Sequence, residues 1–399
     1  MSTVISSFLL VPALALLIPV AVFLVEIVAA VMLTPPPEPL LQPTHSHRRV
    51  AVLVPAHNEG TGLIPTLTDI KAQMNESDRL VVVADNCTDK TAEIAAATGA
   101  EVIVRNDPAR RGKAYALAWG LRHLGIDPPD TVIIIDADCR LADAAIDRLA
   151  AASETAHRPI QALYLMTAPV ESPINYKIAQ FAWRVKNWLR PLGLKTLGLP
   201  CQLMGTGMAF PWGVISSAEL ASESIVEDLK LGLDLALAGT PPVFCPFLGV
   251  TSNFPPSFGS AQSQRARWEQ GHLATILTMA PRLFVSAIVR ADFALLALAL
   301  DLAVPPLTLL GMLAAGMAMV AGLAAVFTHD SAVLLVSAAN LIGLIGGVIL
   351  SWLKCGRDIL PPSAILLIPA YVIKKIPIYR QFFSRKSESK WIKTDRSNF

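Results

Sequence analysis

The fold is decided by residues 131–138, whose sequence is TVIIIDAD. A short continuous run of β-branched residues predicts a strand that is buried on both faces, as in a parallel sheet. The two carboxylates that follow this run, Asp136 and Asp138, would lie at the carboxyl end of the strand. Ligands of α/β sheets bind at that end. The segment therefore predicts an α/β fold with an acidic site at a strand end.

Three earlier runs have the same apolar, β-branched character: residues 50–54, 80–84 and 101–104. Helix-like stretches lie between the runs, over residues 89–97 and 113–124. Strands that alternate with helices predict a parallel sheet in an α/β domain.

Polar residues follow three of the four runs: Pro55-Ala56-His57-Asn58-Glu59, Asp85-Asn86-Cys87-Thr88-Asp89 and Asp136-Ala137-Asp138. An edge this acidic repels a polyphosphate unless a metal ion lies between the carboxylates and the phosphates. Asp136 and Asp138 can both reach one hard cation that also binds substrate phosphate. The plainer interpretation of this pair is a polar strand end.

Two further motifs have a plain and a chemical interpretation. Arg110-Arg111-Gly112-Lys113 precedes a predicted helix, which favours phosphate binding, although a solvated loop has the same composition. Glu227-Asp228 could supply a catalytic carboxylate, yet acidic residues at a helix start are ordinary, and a helix is predicted over residues 229–238.

Taken in chain order, these motifs resemble family 2 glycosyltransferases, the GT-A group that includes cellulose, chitin and hyaluronan synthases and ceramide glucosyltransferase. The resemblance spans roughly residues 50–272 and rests on five motifs: Pro55 to Glu59, Asp85-Asn86, Asp136-Ala137-Asp138, Val226-Glu227-Asp228 and Gln264-Arg265-Ala266-Arg267-Trp268. The last matches QxxRW without a mismatch, whereas Val226 replaces the threonine of Thr-Glu-Asp and His57 replaces a common aromatic residue. The resemblance implies a GT-A nucleotide-sugar-binding, Rossmann-like domain.

The resemblance also implies a role for each matching position. The nucleotide sugar would be bound by Pro55, His57, Glu59, Asp85, Lys113, Asp136 and Ala137. The acceptor and diphosphate would be bound by Gly205, Gly207, Glu227, Gln264, Arg267 and Trp268. Asp138, with Asp136, would hold Mg²⁺ or Mn²⁺, and Asp228 would be the catalytic base. A tight turn at Gly205-Thr206-Gly207 and core packing of Trp268 are the plain alternatives.

One base on the face opposite the leaving group implies inversion at the anomeric carbon, and the family leads us to expect a uridine nucleotide. We expect an enzyme that transfers one sugar to a lipid-linked or glycolipid acceptor. The alternative is a processive polysaccharide synthase subunit for exopolysaccharide. About three spans are few for a polymer channel, which favours the single transfer. A non-catalytic scaffold would have lost its carboxylates, and a transporter would show an inverted repeat of apolar segments.

The composition indicates that part of the chain lies in lipid. Hydrophobic residues make up 53% and charged residues 16% of the 399 residues, whereas soluble chains carry about 25% charged residues. Residues 8–33 are apolar except for Glu26 and long enough to span a membrane, too long for a cleaved signal peptide. Residues 332–353 form a second span.

Two other apolar stretches are less regular. Residues 293–327 are interrupted by Asp301 and Pro305-Pro306, and could be a short interfacial piece followed by a span or one long kinked helix. Residues 359–373 are short for a crossing and contain three prolines, which suits an interfacial segment.

Basic residues border the spans on one side: Arg48, Arg49, Lys354, Arg357, Lys374, Lys375, Arg380, Arg385, Lys386, Lys390, Lys393 and Arg396. The positive-inside rule therefore predicts a multi-pass protein of the cell (inner) membrane, with the large middle region and the tail in the cytoplasm. We expect an anchor and linker over residues 1–47, a catalytic domain over residues 48–290, and a membrane region with a basic tail over residues 291–399.

Other functions receive little support from the composition. The net charge of +2 gives no indication of nucleic-acid binding. The five cysteines form no CxxC pair, so neither a disulfide framework nor a zinc site is predicted. Residues 172–198 interleave aromatic and basic residues without an acid, which favours an amphipathic helix on an anionic leaflet over a solvated surface helix.

Overall fold

The computed structural model describes residues 2–34, 48–169, 171–220, 226–255, 257–365 and 367–383. The predicted linker and the basic residues after Arg380 lie outside these ranges. The described chain forms two compact units. We call them the sheet unit, residues 48–169 and 200–271, and the helical unit, residues 2–34, 171–199 and 272–383.

One eight-stranded sheet organises the sheet unit, in the order β3-β2-β1-β4-β7-β6-β8-β5. Its strands are β1 (Val50–Ala56), β2 (Arg79–Asp85), β3 (Glu101–Arg105), β4 (Thr131–Ile134), β5 (Arg140–Leu141), β6 (Ile160–Thr167), β7 (Met208–Pro211) and β8 (Val243–Asn253). The four strands predicted from β-branched runs are confirmed as β1 to β4.

The first half of the sheet, β3-β2-β1-β4, is parallel throughout, as predicted. The other half is mixed, because β7 runs antiparallel to both β4 and β6. Parallel strands buried on both faces need continuous apolar sequences, and Val52, Leu53 and Ile133 are fully buried. The carboxyl ends of β1, β2 and β4 consequently meet at one edge.

Helices cover the sheet on both sides of these strands. They are α2 (Ile64–Lys71), α3 (Thr91–Ala97), α4 (Lys113–Leu124), α5 (Ala145–Ala156), α8 (Trp212–Ile215) and α9 (Glu227–Leu237). The predicted helices over residues 89–97 and 113–124 are thus confirmed. In the core, Leu117 and Leu121 of α4 pack with Leu53 and Val83 of the sheet. Gly120 permits this approach, since a methyl group there would lie 2.4 Å from Leu53 Cδ1.

The helical unit consists of α1 (Ser2–Met32), α6 (Ile174–Arg184), α7 (Arg190–Thr196), α11 (Phe293–Leu302), α12 (Leu307–Thr328), α13 (Ala332–Cys355), α14 (Pro362–Ile365), α15 (Ile368–Ile373) and α16 (Ile376–Phe383). A π-helical turn, Val185–Leu189, joins α6 to α7. The long helix α10 (Phe258–Arg290) begins in the sheet unit and continues into the helical unit.

Small residues let α1 approach its neighbours closely. A methyl group on Gly347 of α13 would lie 2.6 Å from a ring carbon of Phe23. On α7, a methyl group on Gly193 would lie 2.0 Å from the carbonyl oxygen of Glu26. Close backbone contact through small residues is how helices associate where lipid removes the hydrophobic driving force.

Among the residues that the structure describes, four helices are long and apolar enough to cross a membrane: Ile5–Met32, Gly259–Arg290, Leu307–Thr328 and Ala332–Cys355. Three of them coincide with the predicted spans. Residues 293–327 form the short helix α11 followed by the spanning helix α12, which is the first of the two alternatives considered. The length and apolar composition of α10 were not foreseen.

Within residues 172–198, residues 174–196 are helical, as predicted, but two of the arginines pair with acids of the protein itself. Arg190 is buried and donates to Glu26 Oε2 (2.6 Å) and Asp301 Oδ1 (2.5 Å). Arg184 donates to Asp358 (2.7 Å). An amphipathic pattern does not show which acidic residues from distant parts of the chain pair with its basic residues. The pattern therefore overstates the positive charge that is available to contact a lipid leaflet.

Candidate active site

The loop after β1 is joined to the loop after β2 by hydrogen bonds. His57 Nδ1 donates to the carbonyl oxygen of Asp85 (2.7 Å). Asn58, whose φ of 53° is left-handed, accepts from the backbone N–H of Thr88 (2.7 Å) through its side-chain oxygen. The N–H of Glu59 donates to Thr91 Oγ1 (2.8 Å). Pro55 ends the apolar run inside β1. These bonds hold the predicted nucleoside-binding residues Pro55, His57, Glu59 and Asp85 beside one another.

The carboxylate of Asp85 is buried and paired. Its Oδ1 accepts from Arg105 Nη1 (2.5 Å) and from Asn86 Nδ2 (3.0 Å). Asp85 and Arg105 stand opposite each other at the carboxyl ends of the paired strands β2 and β3. Arg105 was not among the predicted site residues, although its place directly after a β-branched run is a signal that could have identified it.

The turn that follows β4 is held from two directions. Thr66 Oγ1 donates to the carbonyl oxygens of Ala137 and Cys139, both at 2.8 Å. The N–H of Asp136 donates to Thr206 Oγ1 (3.0 Å). Burial raises the pKa of the Cys139 thiol to about 12, so this cysteine is a neutral packing residue. Both aspartate side chains stay partly exposed beside this rigid turn.

Lys113 begins α4 and lies among the acidic residues. Its Nζ forms an ion pair with Asp136 and donates to the carbonyl oxygen of Gly205 (2.6 Å). Burial opposes the charge of Lys113, but the carboxylates of Asp136, Glu227 and Asp228 outweigh it and raise the pKa of the lysine. Lys113 therefore remains a cation at the centre of the site.

Gly205 and Gly207 both need the backbone freedom of glycine, with φ values of 96° and 65°. A methyl group on Gly205 would lie 3.2 Å from Asp228 Oδ2, and one on Gly207 would lie 2.9 Å from Ala162 Cβ. The side chain of Gln161 fixes this segment by donating to the carbonyl oxygen of Thr206 (2.9 Å). The segment bends at residues 205–207, and its Gly205 end adjoins Asp228.

Glu227 and Asp228 occupy the first turn of α9, where the capping interpretation placed them. The residue before the helix is Val226, which makes no side-chain capping hydrogen bond. The carboxylate of Glu227 accepts a hydrogen bond from a backbone N–H in the first turn. Burial and the neighbouring charge of Asp228 raise the pKa of Glu227 to about 8. The pair faces the charge of Lys113, so its position fits a chemical role as well as a helix start.

The residues of the QxxRW motif lie near the start of α10 and share one helix face. Gln264, Arg267 and Trp268 are spaced three and four residues apart, which brings them to the same side of a helix. Gln264 is buried, whereas Arg267 and Trp268 are partly exposed. Burial lowers the pKa of Arg267.

In the part of the chain that the structure describes, no three His, Cys, Asp or Glu side chains are close enough to hold a metal ion by themselves. Asp136 and Asp138 nevertheless suit Mg²⁺ or Mn²⁺, because their hard oxygens are partly exposed at a turn held by Thr66 and Thr206. Such cations are commonly bound by one or two carboxylates together with substrate phosphates. The residues present fit a divalent metal whose remaining ligands would come from the phosphates of a substrate.

Comparison with known proteins supports this fold. The model of the Glycosyltransferase like family 2 matches residues 47–271, more than half of the chain. No curated protein matches the chain significantly. The structure is similar to that of the mannosyltransferase PcManGT from Pyrobaculum calidifontis, solved with GDP-Man and Mn²⁺. The TM-score is 0.52 at 16% identity, over 95% of this chain and 100% of that one.

Glucosyl-3-phosphoglycerate synthase from Mycobacterium tuberculosis, solved with Mn²⁺, UDP and phosphoglyceric acid, is less similar. Its TM-score is 0.36 at 20% identity, over 60% of this chain and 86% of that one. At 16% identity the PcManGT structure shows the fold alone, a GT-A-like mixed α/β sheet. The family match covers every motif from the first strand to QxxRW, and the chain belongs to the Glycosyltransferase like family 2.

Proposed function

We propose that the chain is an inverting, metal-dependent enzyme that transfers a sugar from a nucleoside-diphosphate sugar to a lipid-linked or glycolipid acceptor. The observation that carries this proposal is the cluster at the sheet edge. Lys113 pairs with Asp136, bonds to Gly205 and lies near Asp228. These contacts bring a cation close to a carboxylate, and sugar transfer from a diphosphate requires both kinds of group.

Each residue has a distinct task in the proposed reaction. Asp228 takes the proton of the acceptor hydroxyl while the oxygen of that hydroxyl attacks the anomeric carbon of the donor sugar. The bond from that carbon to the diphosphate oxygen breaks, and the diphosphate leaves with its electron pair. Lys113 offsets the charge that develops there. A divalent metal held by Asp136 and Asp138 would add further neutralisation of that diphosphate.

The donor end is assigned to the loops after β1 and β2. Pro55, His57, Glu59 and Asp85 would contact the nucleoside, and Ala137 would adjoin the diphosphate. A uridine nucleotide is proposed from the family. Guanosine is the second base to test, because PcManGT was solved with GDP-Man.

The acceptor end is assigned to Gly205, Gly207 and Glu227, and to the α10 face of Gln264, Arg267 and Trp268. A membrane-borne acceptor is supported by the apolar side chains that the helical unit exposes. Phe8, Val326 and Phe327 are 78%, 70% and 81% exposed on helices long enough to span a bilayer. Exposure of this kind on apolar helices is expected where lipid is the solvent.

The cell (inner) membrane, with the catalytic domain over residues 48–290 on the cytoplasmic side, is the proposed location. We also propose three crossings, by α1, α12 and α13. Ser6 bonds to Asp330, so the start of α1 lies beside the end of α12. The start of α12 then lies on the side where α1 ends. Crossing by α10 would require α11 to cross back, and its ten residues are too short.

The test compares the wild type with Asp228→Asn in lipid, with Mn²⁺, a panel of nucleotide sugars and a lipid extract as acceptor. We expect the wild type to release nucleotide and label one lipid product, and the variant to lose about 10²-fold or more of this turnover. A long polymer would instead support the processive alternative. Equal turnover by the two proteins would refute Asp228 as the base.

A further inference from the structure

We propose that Arg105 is a positioning residue for the nucleotide donor, one that orients the nucleoside-binding carboxylate and the phosphate-facing loop with the same guanidinium group. This inference rests on the proposed function, because it concerns how the donor is held. Arg105 is 6% exposed and lies at the carboxyl end of β3.

The first arm of the guanidinium orients Asp85. Arg105 Nη1 donates to Asp85 Oδ1 (2.5 Å), and Asn86 Nδ2 donates to the same oxygen (3.0 Å). Two donors on one carboxylate oxygen determine how the other oxygen, Oδ2, is presented. If Asp85 binds the nucleoside, Arg105 decides the orientation in which it does so.

The second arm holds the loop that leads to Lys113. Arg105 Nη2 donates to Asp107 Oδ2 (3.1 Å) and to the carbonyl oxygen of Arg110 (2.7 Å). Asp107 in turn accepts from the backbone N–H of Arg110 (3.2 Å). Arg110 and Arg111 themselves are exposed, so their charged groups face solvent. The buried Arg105, by contrast, holds the conformation of the loop.

The flat face of the guanidinium is also engaged. Its central carbon lies 5.5 Å from the centre of the Tyr115 ring, which belongs to α4. The group is thus bound at both edges and stacked on a ring, an arrangement that the planar arginine fork permits and lysine does not. It links the end of β2, the 105–112 loop and the start of the helix that carries Lys113.

The same pair of strands provides a matched control. At their amino ends, Arg79 of β2 donates to both carboxylate oxygens of Glu101 of β3, each at 3.0 Å. Arg79→Gln and Arg105→Gln therefore each remove an arginine–carboxylate pair, at opposite ends of β2 and β3. The Arg79 pair is the more exposed one, with side chains 25% and 39% exposed against 7% and 7% for the Arg105 pair. A purely structural role would lower the thermal midpoint of a variant without a specific loss of nucleotide affinity.

The experiment measures binding of UDP and of GDP, each with Mn²⁺, to the full-length protein in lipid, together with thermal unfolding. We expect Arg105→Gln to weaken binding of the preferred nucleotide about tenfold to a hundredfold, the range for hydrogen bonds to charged groups. Arg79→Gln should change the affinity for that nucleotide by less than about twofold. Arg105→Lys, which keeps the charge but not the fork, should fall between the wild type and Arg105→Gln, and it serves if the glutamine variant fails to fold.

A double-mutant cycle separates positioning from general damage. If Arg105 acts through Asp85, adding Arg105→Gln to Asp85→Asn should weaken binding much less than it does in the wild type. Where turnover is measurable, the donor KM should rise while kcat at saturating donor is retained. Arg105→Gln matching Arg79→Gln, or additive losses in the cycle, would overturn the inference and leave the proposed function standing. A wild type that binds neither nucleotide would overturn both.

Discussion

At the scale of single residues, the charge balance of the site is its most informative feature. Lys113 is the cation that the described contacts place among Asp136, Glu227 and Asp228. Three carboxylates around one lysine leave a negative excess, which favours a divalent cation and raises the proton affinity of the acids. The pKa of Glu227 is raised to about 8 by burial and by Asp228.

The raised pKa of Glu227 predicts a pH-dependent stability in the absence of metal and nucleotide. The folded protein keeps the Glu227 proton up to about pH 8, whereas the unfolded chain releases it near its ordinary pKa of 4.5. Unfolding therefore releases a proton between these values, so this contribution to stability is complete below pH 4.5 and is lost as pH rises to about 8.

As the pH is raised from 5 to 8, we expect the thermal unfolding midpoint of the wild type to decrease relative to that of Glu227→Gln. Above pH 8 the difference between the two midpoints should stay constant. The measurement is thermal unfolding of metal-free protein in detergent. A constant difference between the two proteins across this range would contradict the assignment.

At the scale of elements, two features hold the helices of the helical unit together. The first is the contact of α7 with α1 at Gly193. A methyl group there would meet the backbone of Glu26, which no side-chain rearrangement can relieve. Backbone proximity of this kind makes a glycine irreplaceable where one helix crosses another closely.

Gly193→Ala is expected to lower the free energy of unfolding by about 1–3 kcal/mol, the range for overpacking. Gly316→Ala on α12 is the matched control, because a methyl group there would meet nothing within 4 Å. That control should be neutral or slightly stabilising, since alanine favours helix. Thermal unfolding in detergent compares the two variants. Equal changes in stability would contradict a close contact between α7 and α1 at Gly193.

The second feature is the buried ionic group formed by Arg190 of α7, Glu26 of α1 and Asp301 of α11. Arg190 donates to both carboxylates, and all three side chains are at most 7% exposed. Taking three charges out of water is costly, and their mutual attraction offsets this only while all partners are present.

Arg190→Leu is therefore predicted to destabilise the fold by about 3–5 kcal/mol, because two carboxylates lose their partner in the interior. Arg184→Leu should cost less than about 1 kcal/mol, because its partner Asp358 is 62% exposed. Adding Glu26→Gln and Asp301→Asn to Arg190→Leu should restore part of the loss. Thermal unfolding in detergent measures these differences. Equal unfolding midpoints for Arg190→Leu and Arg184→Leu would show that burial of the ionic group has no effect on stability.

At the scale of the whole molecule, the packing of the helical unit carries an argument about membrane topology. Ala13 of α1 accepts from Asn340 of α13 (2.9 Å), and Phe23 lies against Gly347. Both helices therefore run in the same direction. With Ser6 bonded to Asp330, the start of α1 and the turn between α12 and α13 share one side.

The proposed three crossings predict which positions an impermeant reagent can reach. Cysteines introduced at Ser7 and Asp330 should react with an impermeant maleimide on intact cells. Cysteines at Arg357 and Lys375 should react only after permeabilisation, and the wild type measures the reaction of native cysteines. Labelling of Ser7→Cys and Asp330→Cys from opposite sides would refute the arrangement.

Much of the fold and of the candidate site could be predicted because the information is local. The runs that became β1 to β4 have one continuous apolar pattern, and a parallel sheet brings their carboxyl ends to one edge whatever the loops contain. Asp85, Asp136 and the motif residues were identified by their place after a strand or within a motif. The apolar spans were found the same way, by length and composition.

The sequence by itself determined the strands β1 to β4, the edge at which they end and the apolar helices α1, α12 and α13, because each depends on neighbours within some twenty residues. Only the tertiary structure decided the partners of the charges. It paired Arg105 with Asp85, Lys113 with Asp136 and Gly205, and Arg190 with Glu26 and Asp301. A charged side chain shows in sequence only that it needs a partner, and the partner that satisfies it in a low-dielectric interior comes from wherever the fold returns the chain.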